Sequence, residues 1–472
     1  MTVKSLGKQS LIYGAGHIMA RSITFLLLPL YTNILSPQEY GTMTLLYAYL
    51  GFMVLILHYG LDASFLKYYV PADVEDRKSI ATNVYISLVV TTISYFILMM
   101  FFGEYVSRIL FSSDLPGLTI LTSGILIFDV LLSIHVLLLR AESRPVLFTL
   151  INILNVISSL CLNIIFVAFL KMGVYGVLIS NLITSGIIFF ITIPIIMKRI
   201  SIATISIHQW KKLMKFALPL LLAGIFSMIM ELSDRYILLY LTNIETVGLY
   251  NAGYKLGLFL VLVIMGFNMA WQPFFLKKDK NEKEYIAKVS TVVLSILGFL
   301  WVLLILWSED LVKIHFGKFA FLGEYYWEST QIVPLIALAY IFHAMYLLQL
   351  PGVYFLEKSI WIAGFRGIGA VANIVLNFLL IPQFGIMGAA GATCLSFLIM
   401  TILIYIINIK IFPINFEWKK IAIIIFVGGL IWILNNYTQS SHPFIIKIIL
   451  SIFYPLALAS MRIINMKNIF HI

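Results

Sequence analysis

Residues 216–257 read FALPLLLAGIFSMIMELSDRYILLYLTNIETVGLYNAGYKLG and decide how the rest of the chain is interpreted. The stretch begins as a membrane-spanning run after the basic segment 211–215. It nevertheless carries four ionisable side chains in apolar surroundings, namely Glu231, Asp234, Arg235 and Lys255. A charge at the centre of a bilayer costs at least ~2.5 kcal/mol, so we expect these residues to face a protein-lined or aqueous interior.

The composition identifies the class of protein. Hydrophobic residues make up 61% of the 472 residues and charged residues only 11%, and the mean hydropathy is +1.00. These values are typical of a membrane protein with many spans. The net charge of +11 comes largely from Lys and Arg between the apolar runs, so it reports membrane topology and does not indicate a nucleic-acid partner.

Apolar runs long enough to span a membrane recur along the whole chain. A hydrocarbon core of about 30 Å needs about 20 helical residues. The sequence therefore predicts an all-α polytopic membrane protein with about 14 transmembrane helices, at residues 10–34, 42–66, 80–102, 117–139, 146–170, 174–197, 214–241, 246–273, 285–307, 331–355, 359–381, 386–409, 419–435 and 444–463.

The distribution of basic residues predicts the orientation. If the N-terminus is cytoplasmic, most basic loop residues fall on the inner side, and the outer loops hold only Arg108, Lys171, Lys313 and Lys318. Because positive charge is retained on the cytoplasmic side, we expect both termini in the cytoplasm.

The connections between the runs are short, and the longest outer one, residues 308–330, is too small to form a domain. The nucleotide-binding pattern Gly-x-x-x-x-Gly-Lys-Ser/Thr is absent from the sequence, so we expect no ATP-driven step. Cys161 and Cys394 lie in apolar runs without metal-ligand spacing. We therefore expect no catalytic residues, no metal and no cofactor, and place the active region among the helices.

A repeated pattern divides the chain into two similar halves. The segment Thr32-Asn-Ile34 recurs as Thr242-Asn-Ile244, and Gly173-Val-Tyr-Gly176 recurs as Gly385-Ile-Met-Gly388. Matches in one order, about 207 to 215 residues apart, indicate a duplicated unit. Six spans in each copy make the two lobes parallel around a central cavity. The predicted domains are residues 1–200 and 201–412, each a six-helix lobe, and 413–472, two additional transmembrane helices.

Three cations inside the predicted spans are candidates for substrate binding: Arg21, Lys255 and Arg366. Lysine binds phosphate as a point charge, and arginine binds it through two parallel hydrogen bonds. We expect these residues to contact an anionic group that moves through the cavity. The alternative is structural ion pairing, above all for Asp234 with the adjacent Arg235.

Other ionisable residues in the spans are candidates for ion coupling or gating: Asp62, Asp129, Glu231, Asp234 and Arg235. Protonatable groups inside transport helices often form relays. The repeat places Glu231 at the position equivalent to Arg21. For Asp62 the alternative is a position in water beside Lys67, near the cytoplasmic end of its span.

Four short segments carry a resemblance to a known family: Ala217-Leu-Pro219, Ser233-Asp-Arg-Tyr-Ile237, Val247-Gly-Leu-Tyr250 and Leu139-Arg-Ala-Glu142. They resemble segments of the polysaccharide-export flippases, including O-antigen flippases, which share a superfamily with lipid II flippases and multidrug and toxin extruders. The resemblance covers about residues 5–410. It implies two six-helix lobes with a cationic cavity, and an arginine at the middle of the first span, here Arg21.

The resemblance also implies a function and partners. An undecaprenyl-pyrophosphate-linked oligosaccharide would move from the cytoplasmic to the outer face of the bacterial inner membrane by alternating access, for surface polysaccharide assembly. Membrane lipids, a glycan polymerase and a chain-length regulator are the further expected partners of a monomeric protein.

Two alternatives to this function stay open. A cation-coupled multidrug antiporter would favour carboxylates in its cavity, and a membrane glycan polymerase or ligase would need catalytic groups in a large outer loop.

The orientation can be tested by labelling. A cysteine at Asn243, in a predicted outer connection, should react with an impermeant thiol reagent added to intact cells, and a cysteine at Lys280 should not. Reversed labelling would overturn both the orientation and the direction of transport.

Overall fold

The computed structural model describes residues 25–111, 117–277, 283–355, 360–437, 443–461 and 463. The chain forms two compact units, of which one ends at Tyr236 and the other begins at Ile237. Almost all of the regular structure is helical, and one short hairpin pairs His315–Phe316 with Phe319–Ala320.

Each predicted span of the first unit corresponds to helical structure among the described residues. The helices are α1 Phe25–Ile34, α2 Pro37–His58, α3 Leu61–Tyr69, α4 Val74–Phe111, α5 Leu118–Ala141, α6 Pro145–Asn163, α7 Gly173–Met197 and α8 Ile207–Leu241, whose last residues belong to the second unit. The span predicted at 42–66 is divided between α2 and α3, and α4 and α8 are longer than predicted. A π-helical turn, Ile164–Phe169, extends α6.

Helix α8 holds the predicted seventh span but packs within the first unit. The Ser64 hydroxyl donates to the carbonyl oxygen of Leu213 over 3.0 Å, and the Tyr236 hydroxyl donates to that of Leu45 over 3.1 Å. These contacts explain why the compact unit extends to Tyr236. The predicted domain boundary after residue 200 rests on the repeat and stays a prediction.

The second unit contains the remaining helices and the hairpin. Glu324–Ile332 forms a 3₁₀ helix that leads into α12. The α-helices are α9 Ile244–Gly257, α10 Phe259–Lys277, α11 Lys283–Val312, α12 Val333–Phe355, α13 Ile360–Ile411, α14 Trp418–Tyr437 and α15 Pro443–Ser460.

Helix α11 holds the two C-terminal helices in place. Gly428 of α14 lies against the ring of Trp301, whose indole N–H donates to the carbonyl oxygen of Pro334 over 2.9 Å. Trp307 of α11 donates its indole N–H to the hydroxyl of Ser451 on α15 over 3.0 Å. The segment that the sequence predicts as an appendage is therefore packed on the second unit.

Ten of the helices described here are long and apolar enough to cross a membrane, or eleven if α9 and the first part of α10 form one span bent by 45°. Helix α13 contains two of the predicted spans, 359–381 and 386–409, and is interrupted at Gly385. The protein is thus a multi-pass membrane protein with an all-α fold. Helices suit membrane spans because each helix satisfies its own backbone hydrogen-bonding groups.

The repeat has the same local backbone in both copies. Gly173 and Gly385 have φ of +55° and +53°, a conformation that favours glycine. Three residues later, a Cβ at Gly176 would lie 2.9 Å from the carbonyl oxygen of Phe166, and one at Gly388 would lie 2.3 Å from that of Leu380. The glycines of the two copies are therefore required for the same two reasons.

Helix caps show that the repeated Thr-Asn-Ile segment lies differently in the two copies. Ser36 caps α2 in a reciprocal capping box with Glu39, and Asn243 caps α9 by accepting from the backbone N–H of Thr246. These caps are 207 positions apart, whereas the Thr-Asn-Ile segments are 210 apart. Both connections are two residues long, 35–36 before α2 and 242–243 before α9. The offset of three arises because Thr32–Ile34 still belongs to α1, whereas Thr242 and Asn243 follow the end of α8.

Glu142, at the C-terminal end of α5, ties three elements of the first unit together. Arg199 donates from Nε and Nη2 to its two carboxylate oxygens over 2.7 and 2.9 Å, and the Tyr69 hydroxyl donates over 3.2 Å. Burial raises the pKa of Glu142, but the hydrogen bonds and charge of Arg199 outweigh it and leave that pKa lowered.

Replacing Glu142 by Gln should therefore destabilise the fold by about 1 kcal/mol at neutral pH, a value discounted for solvent screening. Because the folded-state pKa is lowered, the contribution is present above the unfolded-state pKa and is lost as the pH falls through the folded-state value. Thermal denaturation of both proteins in detergent over a pH series measures the difference.

Glu284→Gln is the matched control, because it breaks the exposed ion pair of Glu284 with Lys288, whose side chains are 83% and 57% accessible. It should leave the melting temperature unchanged. Equal melting curves for wild type and Glu142→Gln at neutral pH would contradict the stabilising role of Glu142.

Candidate substrate site

Arg366 lies in the first half of α13, and its side chain is half-buried. Two residues of the neighbouring helix α12, His343 and Tyr346, lie close enough to interact electrostatically with it. The Tyr346 side chain is fully buried, and its ring meets that of Phe365 edge to face with 6.5 Å between centroids. A cation is thus placed beside aromatic and polar groups inside an apolar helix pair.

Aromatic side chains continue from this point through the second unit. The Tyr254 and Tyr340 hydroxyls share a hydrogen bond of 2.7 Å, the rings of Tyr340 and His343 are 6.3 Å apart, and those of His343 and Tyr346 stack at 6.2 Å. We call this set the aromatic series, and it consists of Tyr250, Tyr254, Tyr340, His343, Tyr346, Phe365 and Trp361.

The aromatic series extends from the middle of α9 along α12 to the first turns of α13. In the predicted orientation, α9 starts at the outer side and α13 at the inner side. Lys255 is half-buried and directly follows Tyr254. Of the predicted substrate-binding cations, Arg366 lies beside the series and Lys255 belongs to the same helix as Tyr254. Arg21 lies outside the described residues, and its role stays a prediction.

Asp234 and Arg235 form an ion pair inside α8. Arg235 Nη1 lies 2.7 Å from Asp234 Oδ1, and the accessible fraction is 6% for the Arg235 side chain and 0% for that of Asp234. Arg235 also donates to the carbonyl oxygen of Glu231. The pairing that the sequence offers as the alternative is therefore present, and a gating role for these residues stays a proposal. Glu231 itself is exposed, one turn earlier.

Asp129 belongs to a group of polar side chains in the first unit. The Ser185 hydroxyl of α7 donates to Asp129 Oδ1 over 2.5 Å. Tyr47 of α2 interacts electrostatically with Asp129, and its hydroxyl accepts a 2.5 Å hydrogen bond from the Asn181 amide. Asp129 is half-buried. Part of the side chain therefore stays accessible although it lies between the apolar helices α5 and α7.

The other predicted coupling residue, Asp62, is exposed on α3. Nearby, His58 is buried and bonds to the Ser133 hydroxyl over 2.5 Å, and His135 bonds to Thr192 and Tyr85 over 2.8 and 3.1 Å. Both histidines thus have partners in the first unit. Across the described ranges, no three His, Cys, Asp or Glu side chains gather into a possible metal site.

Residues that interact with Asp129 and Arg366 have no place in the sequence-based prediction, among them Ser185, His343 and Tyr346. His343 is the only histidine in the predicted span 331–355, and a lone histidine in an apolar run is a signal that could have identified it. Ser185 and Tyr346 carry no such signal, because serine and tyrosine are common in membrane helices.

Comparison with known proteins agrees with this fold. The family model described as polysaccharide biosynthesis protein matches residues 6–278. An uncharacterised membrane protein of Haemophilus influenzae is 21% identical over 399 residues, which cover 82% of this chain and 95% of that protein.

Two solved structures share the architecture. The lipid II flippase MurJ, in an inward closed conformation, matches with a TM-score of 0.76 and 17% identity over 96% of this chain and 98% of that one. An inward-facing multidrug resistance MATE family transporter of the MOP superfamily matches with a TM-score of 0.66 and 12% identity over 85% of this chain and 95% of that one. At these identities the likeness establishes the fold alone.

Proposed function

Because the chain belongs to the polysaccharide biosynthesis protein family, we propose that it is a flippase for an undecaprenyl-pyrophosphate-linked oligosaccharide. It would carry this lipid from the cytoplasmic to the outer face of the bacterial inner membrane by alternating access, without covalent chemistry. The product would serve the assembly of an O-antigen or capsule type of surface polysaccharide. Both termini would be cytoplasmic, and a glycan polymerase and a chain-length regulator would act on the exported lipid.

The observation that carries this proposal is the position of Arg366 beside the aromatic series. A guanidinium inside a membrane span is costly to insert, so it is expected to face the protein interior or a water-filled cavity and to mark a functional site. It can bind a phosphate group through two parallel hydrogen bonds, and Lys255 would add a second positive charge. The tyrosine hydroxyls of the series would offer hydrogen bonds to the oligosaccharide once the helices around it separate.

The charge of the site also bears on the alternatives. A drug cation would be repelled by Arg366 and Lys255, so a multidrug antiporter fits the second unit less well. For a glycan polymerase or ligase, the relevant segment is the outer connection. Residues 308–330 form the end of α11, the short hairpin and 3₁₀ turns, and this segment is smaller than an independent catalytic domain.

Substitution of the two cations tests the proposal. Arg366→Ala and Lys255→Ala should each reduce transport of the lipid-linked oligosaccharide by about tenfold or more, since each removes a charge-assisted contact with the pyrophosphate. Arg366→Lys should recover only part of the activity, because lysine cannot form the two parallel bonds. Flipping of a labelled lipid-linked oligosaccharide in proteoliposomes is the measurement.

Lys419→Ala serves as the matched control, because Lys419 is an exposed cation at the start of α14, and it should transport normally. Full transport by both alanine variants would contradict a cationic substrate path. Proton-driven uptake of a drug cation, without flipping, would favour the antiporter instead.

We further propose Asp129 as the residue that couples transport to an ion gradient. A carboxyl group held by the Ser185 hydroxyl can exist in a protonated form, in which it no longer carries a costly charge among apolar helices. Asp129→Asn should insert normally and abolish the acceleration of flipping by an imposed pH gradient. Asp62→Asn is the matched control, because Asp62 is exposed, and an equal loss in both variants would refute a specific role for Asp129.

A further inference from the structure

Two exposed lysines of the first unit share aromatic neighbours at the predicted cytoplasmic ends of α3 and α8. Lys67 Nζ lies 3.6 Å from the centroid of the Phe216 ring and 5.4 Å from that of Tyr68. Lys212 Nζ lies 5.0 Å from the same Tyr68 ring. The two rings meet edge to face at 6.0 Å. We call these four residues the lysine-tyrosine cluster.

The two helices that carry the cluster are fixed to each other. The Ser64 hydroxyl of α3 donates to the carbonyl oxygen of Leu213 in α8 over 3.0 Å. Gly60, directly before α3, has φ of +81°, and a Cβ there would lie only 2.3 Å from the carbonyl oxygen of Ala217. This close approach needs glycine, so the cluster is built on a defined backbone contact and not on a chance meeting of mobile side chains.

The positive charge of the cluster is not neutralised within the part of the chain that the structure describes. Neither Lys67 nor Lys212 forms an ion pair there, although α3 also carries Asp62. Other lysines do find carboxylates, namely Lys288 with Glu284, Lys420 with Glu417 and Lys447 with Asp310. An aromatic ring holds a cation without cancelling its charge. The two lysines that contact Tyr68 therefore both keep a positive charge that an anion can reach.

The surroundings indicate where this anion lies. The apolar part of α8 begins at Phe216, and three exposed lysines precede it: Lys211, Lys212 and Lys215. Tyrosine and lysine together are typical of the boundary between hydrocarbon and water, where lipid phosphates lie. A ligand that reaches this cluster from the membrane would present its phosphate at the depth of the lysines.

We infer that the lysine-tyrosine cluster binds the phosphate group of a lipid headgroup on the predicted cytoplasmic face. Both a polyprenyl pyrophosphate and an anionic phospholipid carry this chemistry. If the lipid is the polyprenyl pyrophosphate, the inference rests on the proposed function and makes the cluster a first docking position for the substrate. If it is an anionic phospholipid, the inference holds independently of transport.

Lipid binding to the purified full-length protein tests the inference. Native mass spectrometry would measure separate titrations with undecaprenyl pyrophosphate, phosphatidylglycerol and diacylglycerol, the last of which lacks a phosphate. The double variant Lys67→Ala/Lys212→Ala should bind at least one of the two phosphate-bearing lipids about tenfold more weakly than wild type. Its binding of diacylglycerol should be unchanged, and Lys67→Arg/Lys212→Arg should retain most of the phosphate-lipid affinity.

The matched control is the double variant Lys211→Ala/Lys215→Ala, which removes the same number of positive charges, both from the start of α8, but leaves the cluster intact. It should change the affinities by less than about twofold, whereas general attraction to a basic surface would respond equally to both double variants. Weakened binding of undecaprenyl pyrophosphate would identify the substrate lipid, and weakened binding of phosphatidylglycerol alone would identify an anionic phospholipid.

Two outcomes would overturn the inference: unchanged affinity for both phosphate-bearing lipids, or equal losses in the cluster and control variants. The thermal stability of each variant should match that of wild type, because the substituted lysines are exposed. Flipping by the Arg366 variants tests the proposed function separately, so the failure of one idea is distinguishable from the failure of the other.

Discussion

The cost of placing charge among apolar helices is the constraint on which the functional groups of this protein depend. The chain meets this constraint in three ways. Asp234 pairs with the adjacent Arg235 at 2.7 Å, Asp129 accepts a hydrogen bond from a serine of the neighbouring helix, and Arg366 lies beside an imidazole and a phenol of α12. The first arrangement joins opposite charges, the second permits protonation, and the third brings a permanent cation next to side chains that can also contact a ligand.

Local features of the repeat were predictable because each depends on a few adjacent residues. The glycines at 173 and 385 adopt the same positive φ. Asn163 and Asn377 are both buried and both donate to the carbonyl oxygen four residues earlier, each over 2.8 Å. Hydropathy predicted the helices for the same local reason. It could not predict that the span predicted at 42–66 would be divided between α2 and α3, or that α9 and α10 would bend, since those outcomes depend on how each helix packs.

The candidate site was predictable only in part. The charges were visible because Asp129 and Arg366 interrupt apolar runs, but their partners were not. Ser185 is 56 positions from Asp129, and His343 and Tyr346 approach Arg366 across two packed helices. Such contacts arise from tertiary packing, so a single sequence shows that an ionisable group needs a partner without showing which residue supplies it.

The kind of partner then determines what a cation can do. Arg235 lies against a carboxylate in a nearly inaccessible pair, so an incoming anion would have to break an existing interaction to reach it. Lys67 lies over an aromatic ring, which restrains the ammonium group but supplies no opposing charge. Beside Arg366, the aromatic series likewise supplies rings on the neighbouring helix α12. The aromatic rings beside Lys67 and Lys212 are therefore a means of holding positive charge in position while keeping it available to a phosphate group.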